Sequence, residues 1–384
     1  MKGRQGKGTW TRLLVPGLVF QSVIVGGGYG TGAEIAQYFG RQGLLGGLLG
    51  LGVTTAIWAL LCGVSFEFAR VFRTFDYGSM MAVLLGPWAV LYDFCCAAMT
   101  LIVLGVVNAT AASLVRDFAP PWMGIGLLAA GVALLVLRGT EAVEKAFSFW
   151  SYVLYAVYIL FLLAVFFKFG DRVAGELARA EVGEAWLTNG LRYAFYNLAC
   201  VSLVLYTARN LRSRREAATC GFLSGLLGAL PALLLLLSMG CDLRCVTGAE
   251  APVARIFQML DLPWLEALFK LVLFGTLIET GAGFVKAAAD RLERGHPRRR
   301  PAVAAAALLA GIAASSLGLT DLVARGYGTI CWGFFLLYAL PMLTVGLRKI
   351  AGASGGEKSR QHRRKRSALD KTDKKCYRAI RMIR

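Results

Sequence analysis

Apolar residues in this chain run together instead of alternating with polar ones. Ten stretches stand out, at about 13–39, 43–66, 87–115, 121–138, 147–169, 189–208, 218–240, 263–289, 301–318 and 323–347. Most are about 18–25 residues long, the length a helix needs to cross a hydrocarbon core of roughly 30 Å. Lipid offers no partner for backbone N–H and C=O groups, so each stretch is expected to be a helix that satisfies its own. The pattern predicts an all-α polytopic membrane protein of about ten transmembrane helices, with no space for a soluble domain of ordinary size. The first run departs from the rule. In "VIVGGGYGTGAEIAQYFG" (23–40), five glycines fall within seven residues and Glu34 follows them.

The runs also repeat. "GGLLGLGVTTAIWALL" (46–61) and "SGLLGALPALLLLL" (224–237) share a G-L-L-G core at an offset of 178 residues. At a similar, slightly shorter offset the glycine-rich interruption falls near "YNLACVSL" (196–203) in the sixth run. Two tandem units of five helices must enter the membrane in opposite directions, which is the inverted-topology repeat common among secondary transporters. The expected organisation is a first repeat over 13–169, an external linker over 170–188 and a second repeat over 189–347. Helices 1 and 6 would be discontinuous, the first plainly and the sixth faintly, with Asn197 and Ser202 but no glycine. The apolar positions of 170–188 recur at helical spacing and suggest a short interfacial helix.

Charge sets the expected orientation. Hydrophobic residues make up 57% of the 384 positions, mean hydropathy is +0.59, and the net charge is +19. With the N-terminus inside, 32 of the 42 Lys and Arg fall on the cytoplasmic side; leaving out the tail, the ratio is 18 to 10. The positive-inside rule therefore places both the N-terminal segment 1–12 and the basic tail 348–384 in the cytoplasm of a multi-pass cell-membrane protein. The charge reads as topology, with membrane lipid and not nucleic acid as its partner. The tail is either solvated or drawn to anionic lipid. The first run carries no A-x-A-like cleavage site and is expected to be retained as a span. Nine cysteines are scattered, mostly inside apolar runs; Cys241 and Cys245, in "CDLRC", could pair as a disulfide. The two histidines, His296 and His362, lie in basic stretches away from any candidate site.

Chemistry concentrates at the interruption. Glycine permits the backbone conformations and close ligand approach that an unwound segment needs, and such a segment is tolerated at membrane depth only where it lines protein or a cavity. Gly26, Gly27, Gly28, Tyr29, Gly30, Thr31 and Gly32 are therefore candidate substrate contacts. The alternative is a helix-packing face, since Gly28 and Gly32 fit G-x-x-x-G. Glu34 would sit in the first turn after the break, where a carboxylate is a functional candidate by default. It would bind a substrate amine, a sodium ion or a proton; otherwise it is a capping acid. The match of Gly28, Gly30 and Ala33 to a dinucleotide fingerprint lacks the preceding strand and the acid about 20 residues on. The likeness of "GGGYG" to a potassium filter lacks a re-entrant loop. Thr276, Glu279 and Thr280, at i, i+3 and i+4, share one face of the eighth helix. Tyr196, Asn197 and Asn108 would join the cavity if the two breaks face each other. Asp93 and Glu67, nearer the cytoplasmic side, read as gating or structural acids.

"VGGGYGTGAEIAQYF", "YNLA" and the threonines of the eighth helix resemble the YkvI-type membrane proteins over nearly all of 11–347. That family is grouped with the amino acid–polyamine–organocation superfamily and its LeuT-like fold of five plus five helices. The resemblance implies a secondary transporter with no cofactor beyond a coupling ion, Na⁺ or H⁺. It also implies a sodium site shared by the helix 1 break, at Val25, and by Thr276, Glu279 and Thr280. Glu279 departs from the usual small or hydroxyl residue there and could carry a proton instead. The expected function is cation-coupled transport of a small amino-acid-like or amine solute. The alternative is a membrane receptor subunit, like those that sense germinants, which binds such a solute without carrying it. Nothing in the sequence pairs a nucleophile with a base, so no enzyme is expected.

Overall fold

The computed structural model describes residues 9–138, 140–249, 251–293, 300–316 and 326–353, and among them every regular element is helical. Both histidines and most of the basic tail lie outside the described residues. Among the described residues seven helices are long and apolar enough to cross a membrane: α4 (Leu44–Phe72), α6 (Ala89–Val115) with α5 (Tyr77–Leu85) before it, α7 (Pro121–Arg138), α8 (Thr140–Ala178), α11 (Arg214–Met239), α14 (Pro263–Glu293) and α16 (Gly328–Ala353). The other three expected spans are the two broken helices and α15 (Arg300–Ser315), which has 16 residues. The chain is an all-α polytopic membrane protein.

The first span is three pieces: α1 (Thr9–Ile24), a single turn α2 (Gly27–Gly30) and α3 (Ala33–Tyr38). The chain leaves helical geometry at Val25–Gly26 and again at Thr31–Gly32, where Gly32 adopts φ +81°, a left-handed conformation that only glycine takes without strain. Freed backbone groups find local partners. Gly26 N–H donates to Ile24 O (2.8 Å), Gly30 N–H to Gly26 O (2.8 Å) and Gly32 N–H to Tyr29 O (2.9 Å). Thr31 O accepts from Val253 N–H (3.1 Å) at the start of α13 (Pro252–Leu260), which follows α12 (Leu243–Thr247) on the connection from α11 to α14. The sixth span breaks without glycine. α9 (Trp186–Tyr196) ends at Asn197, α10 (Leu198–Leu203) follows, and a 3₁₀ segment (Leu205–Asn210) completes it. α8 kinks at Phe169, and its last turns, to Ala178, supply the helix expected at the head of the linker.

Close backbone contact fastens α4 to α11. A Cβ on Gly221 would lie 2.3 Å from Gly63 Cα, and one on Gly225 2.7 Å from Thr55 O. Without a hydrophobic drive between helices in lipid, such small-residue seams supply the van der Waals contact that holds a bundle together. Thr54 Oγ1 donates to Gly190 O (2.9 Å) and Trp58 Nε1 to Ala194 O (3.1 Å), tying α4 to α9. On the inner side implied by the charge pattern, Arg12 of α1 bonds Glu216 in the first turn of α11 at 3.0 Å.

Candidate substrate and ion site

The two breaks meet. Glu34, in the first turn of α3 and 3% exposed, accepts a hydrogen bond on Oε2 from the Tyr196 hydroxyl (2.5 Å) at the end of α9. That bond joins the broken first span to the broken sixth. Around it lies a small cavity walled by residues from α1, α3, α6, α9, α10, α14 and the start of α16, including Gly26, Glu34, Tyr196, Asn197, Thr280 and Phe284. Its volume is about 10 Å³, close to the space of one water. The site is therefore closed in this conformation.

Tyrosines crowd the carboxylate. Tyr29, Tyr38, Tyr193, Tyr196 and Tyr327 all lie within electrostatic reach of Glu34. Tyr196 stacks on Tyr327 at 4.5 Å between ring centroids and meets Tyr193 edge-on at 5.3 Å; Tyr38 lies 5.5 Å from Tyr193 and 5.7 Å from Tyr196. Among the described residues, no Lys, Arg or His pairs with Glu34.

The candidate residues separate into two groups. Gly26, Glu34, Tyr196, Asn197 and Thr280 are brought together on the cavity wall. Gly30 instead packs on Leu273, Gly32 packs against Met239, Pro252 and Val253, and Thr31 Oγ1 donates to Gly28 O (3.2 Å). Gly27, Gly28 and Tyr29 form the intervening turn, with Tyr29 fully buried. Asn108 donates to Leu104 O (2.7 Å) in its own helix and lies against Gly311 of α15, away from the cavity. Glu67 forms a two-pronged pair with Arg70, both bonds 2.8 Å. Tyr38, Tyr193, Tyr327, Cys200 and Phe284 were not evident as site residues, because each lies in an ordinary apolar run and only the fold turns it inward.

The candidate ion site adjoins the cavity and shares Thr280 with it. Thr280 Oγ1 donates to Val25 O (3.0 Å) across the helix 1 break, and Glu279, buried, lies beside Ser22 without a basic partner among the described residues. Ser22 Oγ shares a hydrogen bond with Ser151 Oγ (2.8 Å). Thr276 is turned to its own helix and donates to Leu273 O (2.7 Å). Carbonyl, hydroxyl and carboxylate oxygens are the donor set that a hard cation takes, so these residues fit one. Among the described residues, no cluster of His, Cys, Asp and Glu could hold a transition metal. Cys241 and Cys245 are free thiols, the first buried and the second exposed, so the pairing considered for "CDLRC" is not formed.

A second cavity, about 550 Å³, lies between α6, α10, α14 and α15, with Asp93, Cys96 and Thr100 on its wall. Phe284 lines both cavities.

Solved structures resemble this arrangement over most of its length. A Na⁺-coupled sialic acid symporter in a substrate-bound, outward-open state matches with a TM-score of 0.64 at 12% identity, covering 86% of this chain and 79% of that one. MhsT in complex with L-phenylalanine matches at 0.62 and 13% identity, covering 91% and 99%. A manganese transporter of Eremococcus coleocola matches at 0.59 and 15% identity, covering 89% and 81%. No protein-family model and no curated protein matches the chain. The fold is thus the LeuT-type fold of secondary transporters, with helices 1 and 6 discontinuous, and the structural neighbours are transporters and not enzymes.

Proposed function

We propose that this chain is a secondary active transporter that moves a small amine or amino-acid-like solute by alternating access, coupled to Na⁺ or H⁺. The observation that carries the reading is the closed cavity where both broken helices meet, with the buried Glu34 carboxylate held by Tyr196. A carboxylate at that depth without a basic partner is costly unless it serves a ligand or ion. The coupling cation would lie between Val25 O of the break and Thr280 and Glu279 of α14, so that filling it ties α1 to α14.

The repeat boundaries at 13–169 and 189–347, with 170–188 as external linker, belong to this reading, as does placing both termini in the cytoplasm of a cell membrane. In that orientation the 550 Å³ cavity, with Asp93 on its wall, would lie on the cytoplasmic side of the central site, with which it shares Phe284. The YkvI-type resemblance rests on the motifs of helices 1, 6 and 8 alone. The coupled alternation would swing α1 and α9–α10, with α4 and α11 fastened to them, against the rest.

The test is concentrative uptake into proteoliposomes of the full chain, screening radiolabelled amines and amino acids with and without an imposed Na⁺ or proton gradient. Gradient-driven accumulation that Glu34→Gln abolishes is expected. Solute binding without flux in any gradient would overturn transport and favour a sensing subunit.

A further inference from the structure

We infer that the central site recognises the ammonium group of an organic amine and discriminates against a free carboxylate on the same molecule. The inference rests on the reading of this cavity as the solute site, and it chooses between the two solute classes that reading leaves open.

Charge gives the first argument. Among the described residues Glu34 is the one ionisable carboxyl on the cavity wall, so in its carboxylate form it pairs a bound cation and repels a bound anion. Donor accounting gives the second. The Tyr196 hydroxyl is committed to Glu34 Oε2, Thr280 Oγ1 to Val25 O, Asn197 Nδ2 to Tyr193 O (3.0 Å) and Gly26 N–H to Ile24 O. Most donors of the wall are thus spent within the protein, leaving the second N–H of Asn197, the Tyr327 hydroxyl and the weak Cys200 thiol, while Glu34 Oε1 takes no donor among the described residues. A site of this kind supplies an acceptor for N–H and little for a carboxylate. A buried carboxylate without donors or a counter-charge is expensive.

Aromatic geometry gives the third. Tyr196 and Tyr327, stacked on each other, line the cavity with the acid, and Tyr38 and Tyr193 pack against Tyr196 outside its wall. Ring faces beside a carboxylate attract an alkylammonium both through the π quadrupole and through apolar contact with its carbons. The rest of the wall, with Val23, Ile24, Met99 and Val103, suits a short hydrocarbon body. A zwitterionic amino acid offers the same ammonium but must bring its carboxylate within a few ångströms of Glu34.

The experiment is calorimetric titration of the purified full chain with matched pairs: isobutylamine and valine, isopentylamine and leucine, phenethylamine and phenylalanine. Each amine is expected to bind at least tenfold more tightly than its amino acid. Glu34→Gln should cost the amines at least tenfold, while Tyr196→Phe, which keeps the ring, should change them only a few-fold. Amino acids binding as well as their amines would overturn the inference, as would unchanged amine affinity in Glu34→Gln, or binding of neither class. The wild-type comparison needs no variant to fold. Flux separates the two claims: Glu34-dependent amine binding without transport sinks the transporter reading alone, whereas amino acids carried in preference to amines sink this inference alone.

Discussion

Arg12 and Glu216 lie 204 residues apart and form an ion pair between α1 and α11, at the end that the proposed orientation places toward the cytoplasm. The guanidinium reaches Glu216 Oε1 at 3.0 Å, and the two side chains are 9% and 19% exposed. Glu216 Oε2 is held as well, by Arg212 N–H at 2.7 Å. At an effective dielectric near 20, the gross attraction over 3.0 Å is about 5 kcal/mol. Desolvation of two largely buried charges offsets much of that. A net coupling of about 1–3 kcal/mol is the expectation for a contacting pair. If the pair holds the inner end of helix 1 against α11, losing it shifts the balance toward a cytoplasm-open form by roughly 5–150-fold. The assay is a double-mutant cycle of Arg12→Ala and Glu216→Ala. It reads thermal unfolding in detergent and the rate at which Cys200, on the cavity wall, is alkylated from the cytoplasmic face. Each single variant should speed alkylation, and the double variant should add little to either. Effects that sum to within about 0.3 kcal/mol would show the pair to be uncoupled and refute the reasoning.

Three further outcomes follow from the structure. Gly221→Val places a Cβ within 2.3 Å of the Gly63 backbone, where no flexible side chain can yield; overpacking of about 1–3 kcal/mol or more should lower the thermal midpoint clearly, and an unchanged midpoint would show that the α4–α11 seam is not as close as described. A membrane-impermeant maleimide applied to intact cells should label Cys245, which is exposed, and leave Cys376 in the tail unlabelled. Cys241 should react slowly, because burial pushes its thiol up to about 11; labelling of Cys376 from outside would invert the topology. Glu279→Gln should uncouple the cycle, keeping solute exchange while concentrative uptake falls at least tenfold, and wild-type accumulation would remove Glu279 from the coupling site.

How much of this could be read from the sequence depended on where the signal lay. Ten spans were legible because apolar length is a direct consequence of bilayer thickness. The first break was legible because five glycines cluster in seven residues, denser than the every-fourth spacing of a packing face. The second was nearly silent: α9 ends at Asn197, whose side chain returns to Tyr193 O, and no glycine marks the change. The roles of the glycines were the least legible. Gly26 reaches the cavity, but Gly30 and Gly32 make room for Leu273 and for Pro252 and Val253, and a glycine for contact looks the same in sequence as a glycine for conformation. Asn108 is a polar residue in an apolar run and so reads as a cavity candidate in sequence, yet its amide bonds a carbonyl of its own helix. The tyrosine shell of Glu34 was hidden for the opposite reason. Tyr38, Tyr193 and Tyr327 come from three separate helical segments, and nothing local in any of them points inward.

The central claim is that the Glu34–Tyr196 cavity is a transport site reached in turn from both faces of the membrane. Cys200 lines that cavity. The direct measurement uses a variant in which Cys200 alone remains of the nine cysteines, reconstituted in oriented vesicles and exposed to a small impermeant thiol reagent from one face at a time. The account predicts alkylation from each face, slowed from both by a bound amine and altered in opposite directions by the coupling cation. Reaction from one face only, under every ion condition, would contradict it.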